Sequence, residues 1–185
     1  MSDTTPARLP DWPNVPACHG WLSLDARGCW RLKGERVEHG GLFAFLNANY
    51  AHDDAGNWLV HNGPQCVFVE LEAAPWILRL LPDEALQTHT GRRTKAAAPV
   101  LVDEAGRVSL LTDLGPAAID DRDLALFLAE VKHEHGRGVD EAALFALLAG
   151  RPTPALQWRG LPVRFAHSGD IPVLLGFRRQ PAPGT

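Results

Sequence analysis

The sequence predicts an α+β fold with a mainly antiparallel sheet. Short segments of alternating apolar and polar residues recur along the 185-residue chain. Turns rich in aspartate and glycine separate them, and a few amphipathic segments have helical spacing. The composition, 45% hydrophobic and 22% charged, is that of a globular protein. The length fits one domain or two small halves that share a core.

One turn motif, Asp-x-x-Gly followed by alternating apolar residues, occurs three times. Aspartate at the first position of a type I turn can accept hydrogen bonds from the backbone that follows, and glycine three residues later accepts the conformation that ends the turn. The copies begin at Asp25, Asp53 and Asp103. The first and third align without a gap over residues 24–32 and 102–110, and a helical segment follows each. The sequence therefore predicts repeated β-hairpin-plus-helix units.

Three helices are predicted from apolar residues at helical spacing. They cover about 40–50, 121–135 and 140–150, with Asp120 or Asp121 capping the second and Asp140 the third. The last two helices would form a C-terminal helical hairpin. Short apolar or alternating runs predict further strands, of which the last two would close the fold. These strands lie at 67–72, 76–81, 161–166 and 171–177.

Proline spacing and shifts of composition predict where the chain divides. Four prolines within the first 17 residues favour an extended segment, because each ring fixes its own φ and restricts the preceding residue. The predicted divisions are an extended N-terminus at 1–17, a first α+β half at 18–90, a linker at 91–99, a second α+β half at 100–178 and a tail at 179–185.

Charge and composition exclude several classes of protein. The 18 basic residues against 22 acidic ones give a net charge of −4, which argues against a general binder of nucleic acid or of anionic membranes. No apolar run approaches the ~20 residues that span a bilayer, and the N-terminus does not resemble a signal peptide. The three cysteines, Cys18, Cys29 and Cys66, have no CxxC spacing. They predict reduced thiols in a cytoplasmic protein.

An ordered series of motifs covers the chain from about residue 20 to 90. The motifs are Gly28-x-Trp30-x-x-x-Gly34-x-x-Val37, a Leu42-Phe43 helix, Asp54-x-Gly56-x-Trp58-Leu59-Val60, Pro64-Gln65, Val67-x-Val69-Glu70 and Ala74-Pro75-Trp76. The series resembles an uncharacterised bacterial family, domain of unknown function 1285. The chain departs from that pattern at Gln65, at Trp76 and over residues 138–185. The resemblance implies repeated α+β motifs and a role in signalling or ligand binding, and it offers no catalytic residues to transfer.

Signals for catalysis or for a metal site are weak. His133 and His135 are close in sequence, but side chains two residues apart on a helix do not face each other. None of the four serines lies in GxSxG, and neither a P-loop nor GxGxxG occurs. We therefore predict no catalytic residue, no metal site and no cofactor.

The alternation of the first sheet predicts a candidate site on its outer face. Three polar residues alternate in the phase opposite to the core-facing residues, namely Arg31, His61 and Glu70. Arg79 joins them if the alternation continues past Pro75. We predict that these four residues line a shared surface that contacts an anionic or polar ligand, or a protein partner. The competing interpretation is a ladder of solvated ion pairs. Apolar neighbours on this face are Leu59, Phe68 and Ile77, and the core-facing residues are Trp30, Leu32, Trp58, Val60, Val67, Val69 and Leu71.

The leading functional hypothesis is a non-enzymatic module that binds a small ligand or another protein, with signalling as a setting. One alternative is an enzyme that uses His61 with Glu70 or Glu72 for acid–base chemistry. Another is a structural or assembly subunit. An enzyme would show titratable groups converging in a closed pocket, a binding module would show a pocket without such a set, and an assembly subunit would show a flat apolar patch.

Overall fold

The computed structural model describes Pro13 and residues 15–182. Most of the predicted extended N-terminus and the last three residues of the predicted tail lie outside these residues. The described chain contains fifteen strands in two sheets. The strands are β1 (Ala17–Leu24), β2 (Trp30–Leu32), β3 (Glu35–Arg36), β4 (Tyr50–His52), β5 (Trp58–Asn62), β6 (Gln65–Leu71), β7 (Trp76–Leu80), β8 (Leu86–Thr88), β9 (Arg93–Thr94), β10 (Ala96–Val102), β11 (Val108–Thr112), β12 (Gly115–Ile119), β13 (Val131–His133), β14 (Leu156–Trp158) and β15 (Leu161–Phe165).

The helices of the described chain are short. The prediction of Asp140 as an N-cap is confirmed, because its carboxylate accepts a hydrogen bond from the backbone N–H of Ala143 at 2.8 Å. A 3₁₀ turn, Asp121–Asp123, leads into the second helix, and the side chain of Asp120 caps that turn. The α-helices are α1 (Gly40–Ala48), α2 (Leu124–Glu130), α3 (Glu141–Leu148) and α4 (Ile171–Leu175).

The second predicted helix, the helical hairpin and the last predicted strand need correction. The helix predicted over 121–135 ends at Glu130, because the chain continues as β13 and pairs with β14. A strand therefore separates α2 from α3, and they do not form the predicted helical hairpin. Residues 171–177, predicted as a strand, contain α4, which ends at Gly176 in the left-handed conformation. Short apolar runs of this kind do not distinguish a strand from a buried helix.

Both sheets mix parallel and antiparallel pairs. The first has the order β3-β2-β1-β6-β5-β4, and the second has the order β13-β14-β15-β10-β11-β12-β7-β8-β9. The parallel pairs are β1 with β6, β10 with β15, and β7 with β12. The chain is thus mostly β-sheet with few helices, which agrees with an α+β class at the coarse level. The segment 91–99, predicted as a linker, carries β9 and the start of β10 in the second sheet.

The repeating unit differs from the one predicted, since each hairpin is followed by another strand before its helix. The first stretch runs β1-β2-β3-α1-β4-β5-β6, and the second runs β10-β11-β12-α2-β13-β14-β15 with α3 inserted before β14. The first sheet has the order β3-β2-β1-β6-β5-β4, and the matching part of the second has β12-β11-β10-β15-β14-β13. The two stretches therefore share one strand order.

The three aspartate turns form as predicted. In each, one carboxylate oxygen accepts hydrogen bonds from the backbone N–H groups two and four residues later. The glycine three residues later donates its N–H to the carbonyl of the aspartate and has a φ between 76° and 80°. These bonds satisfy the turn locally, and the turns recur because their chemistry needs no distant partner.

The core faces of the sheets meet around aromatic rings. Trp58 and Trp76 both lie against Tyr50, and their own centroids are 5.3 Å apart. His89 packs against Trp76 with centroids 5.6 Å apart. The predicted core face of the first sheet is confirmed except at Leu32, which is half-buried. The buried members are Trp30, Trp58, Val60, Val67, Val69 and Leu71.

Candidate functional site

Arg31 and Glu70 lie on the same face of the first sheet. Arg31 is opposite Ser23, and Ser23 is opposite Glu70, so the three residues follow one another across β2, β1 and β6. Together with Glu72 they line a shallow cavity of about 200 Å³. The guanidinium of Arg31 is 3.2 Å from the carboxylate of Asp25. The structure therefore brings two of the four predicted residues together at one small site.

His61 lies on this face but away from that cavity. It pairs with Cys66, whose Sγ is 3.9 Å from His61 Nδ1. Glu70 lies four positions after Cys66 on β6, a distance of about 13 Å along a strand. Acid–base partners must approach to hydrogen-bond distance. The structure therefore does not bring His61 to Glu70 or Glu72, as the enzymatic alternative would require.

Arg79 does not join the predicted surface. It lies on β7 of the second sheet, and its guanidinium donates two hydrogen bonds, of 2.7 and 3.0 Å, to the buried carboxylate of Asp123. The chain leaves the first sheet at Leu71 and enters the second at Trp76. This crossing interrupts the alternation on which the placement of Arg79 depended.

A bulge in β1 adds residues that the alternation did not reveal. The pairing of β1 with β6 shifts between Cys18 and Leu22. His19, within the bulge, stacks on Phe68 with ring centroids 4.2 Å apart. The apolar side chain of Phe68 is thus partly covered by the same sheet. A bulge of this kind has no reliable signal in sequence, although Gly20, with a φ of 71°, is the residue that allows it.

A different cavity lies between the second sheet and helices α2 and α3. Its volume is about 230 Å³. Its floor is formed by the sheet, and its walls are formed by the two helices and by the turn between β10 and β11. We call it the α2/α3 cavity. Its lining residues are Val102, Ala105, Gly106, Val108, Leu124, Phe127, Leu128, Val131, Leu144, Leu147, Leu148 and Val163.

The lining of the α2/α3 cavity carries no polar side chain. Each of its twelve residues is aliphatic, aromatic or glycine. Phe127 is 1% exposed and packs on Trp158, with ring centroids 5.3 Å apart. Leu128 lines the cavity and is also 48% exposed, which marks a place where the cavity opens to solvent. The side chains of this cavity therefore present apolar surface and offer no hydrogen bond or charge.

Ion pairs hold α2 at both ends. Asp123, at its N-terminus, accepts from Arg79, and this bond lowers the pKa of the Asp123 carboxyl. Glu130, its last residue, accepts two hydrogen bonds from Arg159, at 2.6 and 2.9 Å, and these lower the pKa of Glu130. Within the described part of the chain, none of the ion pairs involves α3. The two helical walls are therefore anchored differently.

Two polar clefts adjoin each other where the second sheet curls. Arg159, in the turn between β14 and β15, donates to the carbonyl of Glu84 in the turn between β7 and β8. The clefts, of about 480 and 490 Å³, both have Arg159 and Glu84 in their lining. Acidic and basic side chains both line them, and Asp83 pairs with Arg93 while Glu130 pairs with Arg159. Opposite charges largely satisfy each other here.

Neither a metal site nor a membrane span emerges from the described residues. Within 15–182, no three His, Cys, Asp or Glu side chains are grouped so that they could hold a metal ion. None of the described helices has the length and apolar character needed to cross a membrane.

A family model described as "Protein of unknown function (DUF2946)" matches residues 1–182. The chain belongs to this family. Two solved structures are similar to this chain, and both are described as DUF1285 family proteins. The one from Shewanella baltica OS155 is 15% identical, with a TM-score of 0.39, and the match covers 58% of this chain and 90% of that one.

The second structure is from Silicibacter pomeroyi DSS-3. It is 9% identical, with a TM-score of 0.49, and the match covers 92% of this chain and 93% of that one. None of the curated proteins matches the sequence.

Proposed function

We propose that this protein is a non-enzymatic binding module whose ligand occupies the α2/α3 cavity. The observation that carries the proposal is a cavity of about 230 Å³ lined without a single polar side chain. Protein interiors are close-packed and contain few voids larger than a water molecule. Apolar cavities take up small apolar molecules. The lining also offers no titratable group for acid–base chemistry, which favours binding over catalysis.

The inserted helix α3 supports the proposal. We propose that the two stretches with the same strand order are copies of one unit, and that α3 was added to the second copy. Three residues of α3 line the cavity, namely Leu144, Leu147 and Leu148. The insertion therefore supplies one wall of the cavity, which the first copy does not have. The three free cysteines further support a cytoplasmic setting.

Filling the cavity tests the proposed function. Toluene, as a small apolar probe, is expected to raise the melting temperature of the wild-type protein. Leu147→Phe adds volume at a buried wall, so we expect toluene affinity to fall at least about tenfold, the loss of roughly one well-packed apolar contact. Titration calorimetry measures this affinity. Val131→Leu fills the cavity from the floor and should have the same effect.

The matched control is Leu126→Phe on the neighbouring helix. Leu126 is 53% exposed and is not part of the cavity lining. This variant should bind toluene as the wild type does. The proposed function is wrong if toluene fails to bind the wild type, or if both folded filling variants bind it with unchanged affinity.

A second candidate, for a polar ligand, is the outer face of the first sheet. The cavity shared by Arg31, Glu70 and Glu72 supports it, whereas Arg79 does not belong to it. A thermal-shift screen of nucleotides and amino acids on wild type and Arg31→Ala tests it. We expect a ligand that stabilises the wild type and loses at least half of that shift in the variant. Equal shifts in both proteins would contradict this candidate.

A further inference from the structure

We propose that the ligand of the α2/α3 cavity is a linear aliphatic chain of roughly nine carbons, inserted end first with its polar end at the rim. This inference rests on the proposed function and adds the chemical class of the ligand. Three observations support it: the direction of the cavity floor, the volume of the cavity, and the position of its opening.

The cavity floor is long in one direction. Its valines lie on four strands, with Val131 on β13, Val163 on β15, Val102 on β10 and Val108 on β11. The strand order places β14 between β13 and β15, so the floor crosses four strand intervals. At about 4.8 Å per interval, the outermost of these strands, β13 and β11, lie about 19 Å apart along the sheet, and the cavity lies between them. A linear chain across the strands makes contact along this floor, whereas a compact ring of equal volume contacts only part of it.

The volume sets the length of the chain. An apolar cavity of about 150 Å³ in a well-studied model protein accepts benzene, which has six carbons. By the same proportion, about 230 Å³ accepts roughly nine carbons. A chain of this size would fill the cavity and restore the contacts that its lining residues lack.

The opening determines where the polar end lies. Leu128 and Ala105 line the cavity and are also exposed to solvent. Deeper lining residues such as Val108 and Phe127 are 1% exposed. A hydroxyl or carboxylate taken into this lining would lose its hydrogen bonds to water without replacement, at a large cost in free energy. The polar group therefore stays at the rim, and only the chain is bound inside.

A homologous series tests the ligand class. We expect the affinity of the full-length protein for n-alcohols to rise about fourfold per methylene from six carbons, and to level off near nine. The n-alkanoates should show the same increments, because the polar end stays outside. Cyclooctanol should bind at least about tenfold more weakly than 1-octanol, since its ring contacts less of the floor. Titration calorimetry gives each affinity.

The outcomes separate the ligand class from the proposed function. If toluene binds at the cavity but affinity does not rise with chain length, or cyclooctanol equals 1-octanol, the linear class is wrong and the binding function stands. If neither toluene nor any alcohol binds, both proposals fail. Leu147→Phe should move the plateau to shorter chains, and the folded control Leu126→Phe should leave it unchanged. An unmoved plateau in Leu147→Phe would place the chain elsewhere and overturn the inference.

Discussion

Alanine at position 28 is expected to lower the free energy of unfolding by about 3–4 kcal/mol, from backbone strain and overpacking together. Gly28 has a φ of +76°, a backbone conformation that is unfavourable in free energy for any residue with a Cβ. A Cβ built at this position would lie 2.4 Å from the Cβ of His89, closer than atoms of two folded segments approach. Gly28 lies in the turn between β1 and β2 of the first sheet, and His89 directly follows β8 of the second. Because each segment is held by its own sheet, neither can move away from the added Cβ without loss of other contacts.

Gly106→Ala is the matched control for Gly28→Ala. Gly106 has the same place in the aspartate turn and a φ of +77°. The nearest atom to a Cβ built there is Leu148 Cδ2 at 3.8 Å, an ordinary contact. Only the backbone cost of about 1–2 kcal/mol applies to this variant. Urea unfolding of both variants measures the difference, and equal losses would show that the contact with His89 is not what makes Gly28 necessary.

Lowering the pH from 7.5 to 5 is expected to reduce stability by about 2 kcal/mol through His89 alone. Burial lowers the pKa of His89 to about 3, with a smaller opposing effect from the charge of Asp25. Its Nδ1 faces the backbone N–H of Ile77 at 3.4 Å, and its Nε2 is buried without a hydrogen-bond partner among the described residues. An imidazolium at this position would have no acceptor for its second proton.

The sign follows from which state binds the proton. Between about pH 6.5 and pH 3 the unfolded chain protonates His89 and the folded chain does not, so stability rises with pH across this window and is constant above it. His89→Asn retains an acceptor near Nδ1 but does not titrate. Its pH dependence between 7.5 and 5 should therefore be smaller by about 2 kcal/mol. The exposed control His135→Gln should retain the wild-type slope, and a wild-type slope in His89→Asn would refute the assignment.

Helices α2 and α3 are held to the rest of the fold in different ways. Arg79 and Arg159 hold the two ends of α2 through Asp123 and Glu130. Helix α3 buries only Ala143 and Leu147, and Phe145 on its outer side is 61% exposed. Apolar contacts are non-directional, whereas paired hydrogen bonds fix a geometry. The two helical walls of the cavity are therefore held by different interactions, since ion pairs hold only α2 within the described part of the chain.

Local chemistry made part of the fold predictable. The turns at Asp25, Asp53 and Asp103 formed as expected, because each completes its hydrogen bonds within five residues. The cap at Asp140 followed for the same reason. The predictions of secondary structure were wrong where a strand or helix depends on a partner that is distant in the sequence. Val131 continues the apolar helical spacing, yet residues 131–133 form β13 because β14 offers a neighbouring strand.

The predictions about the candidate site were also right for some residues and wrong for others. Alternation placed Arg31 and Glu70 on one face, because residues two apart on a strand share a side. It failed for Arg79, since sequence does not show that the chain changes sheets before β7. The α2/α3 cavity had no signal at all. Its leucines and valines have the spacing of ordinary core residues, and a void among them depends on how far apart the helices and the sheet pack.

The sequence by itself determined the local elements of this protein: the aspartate turns, the cap of α3, the buried phase of the first sheet and a composition without excess positive charge. Only the tertiary structure decided which strands pair in parallel, where α2 ends, which sheet holds Arg79 and where space remains between α3 and the sheet. The physical reason is the distance along the sequence over which each interaction acts. Turn and cap hydrogen bonds act over a few residues, whereas strand pairing and packing depend on distant partners, such as Ala117 of β12 for Trp76 of β7, 41 residues earlier in the chain.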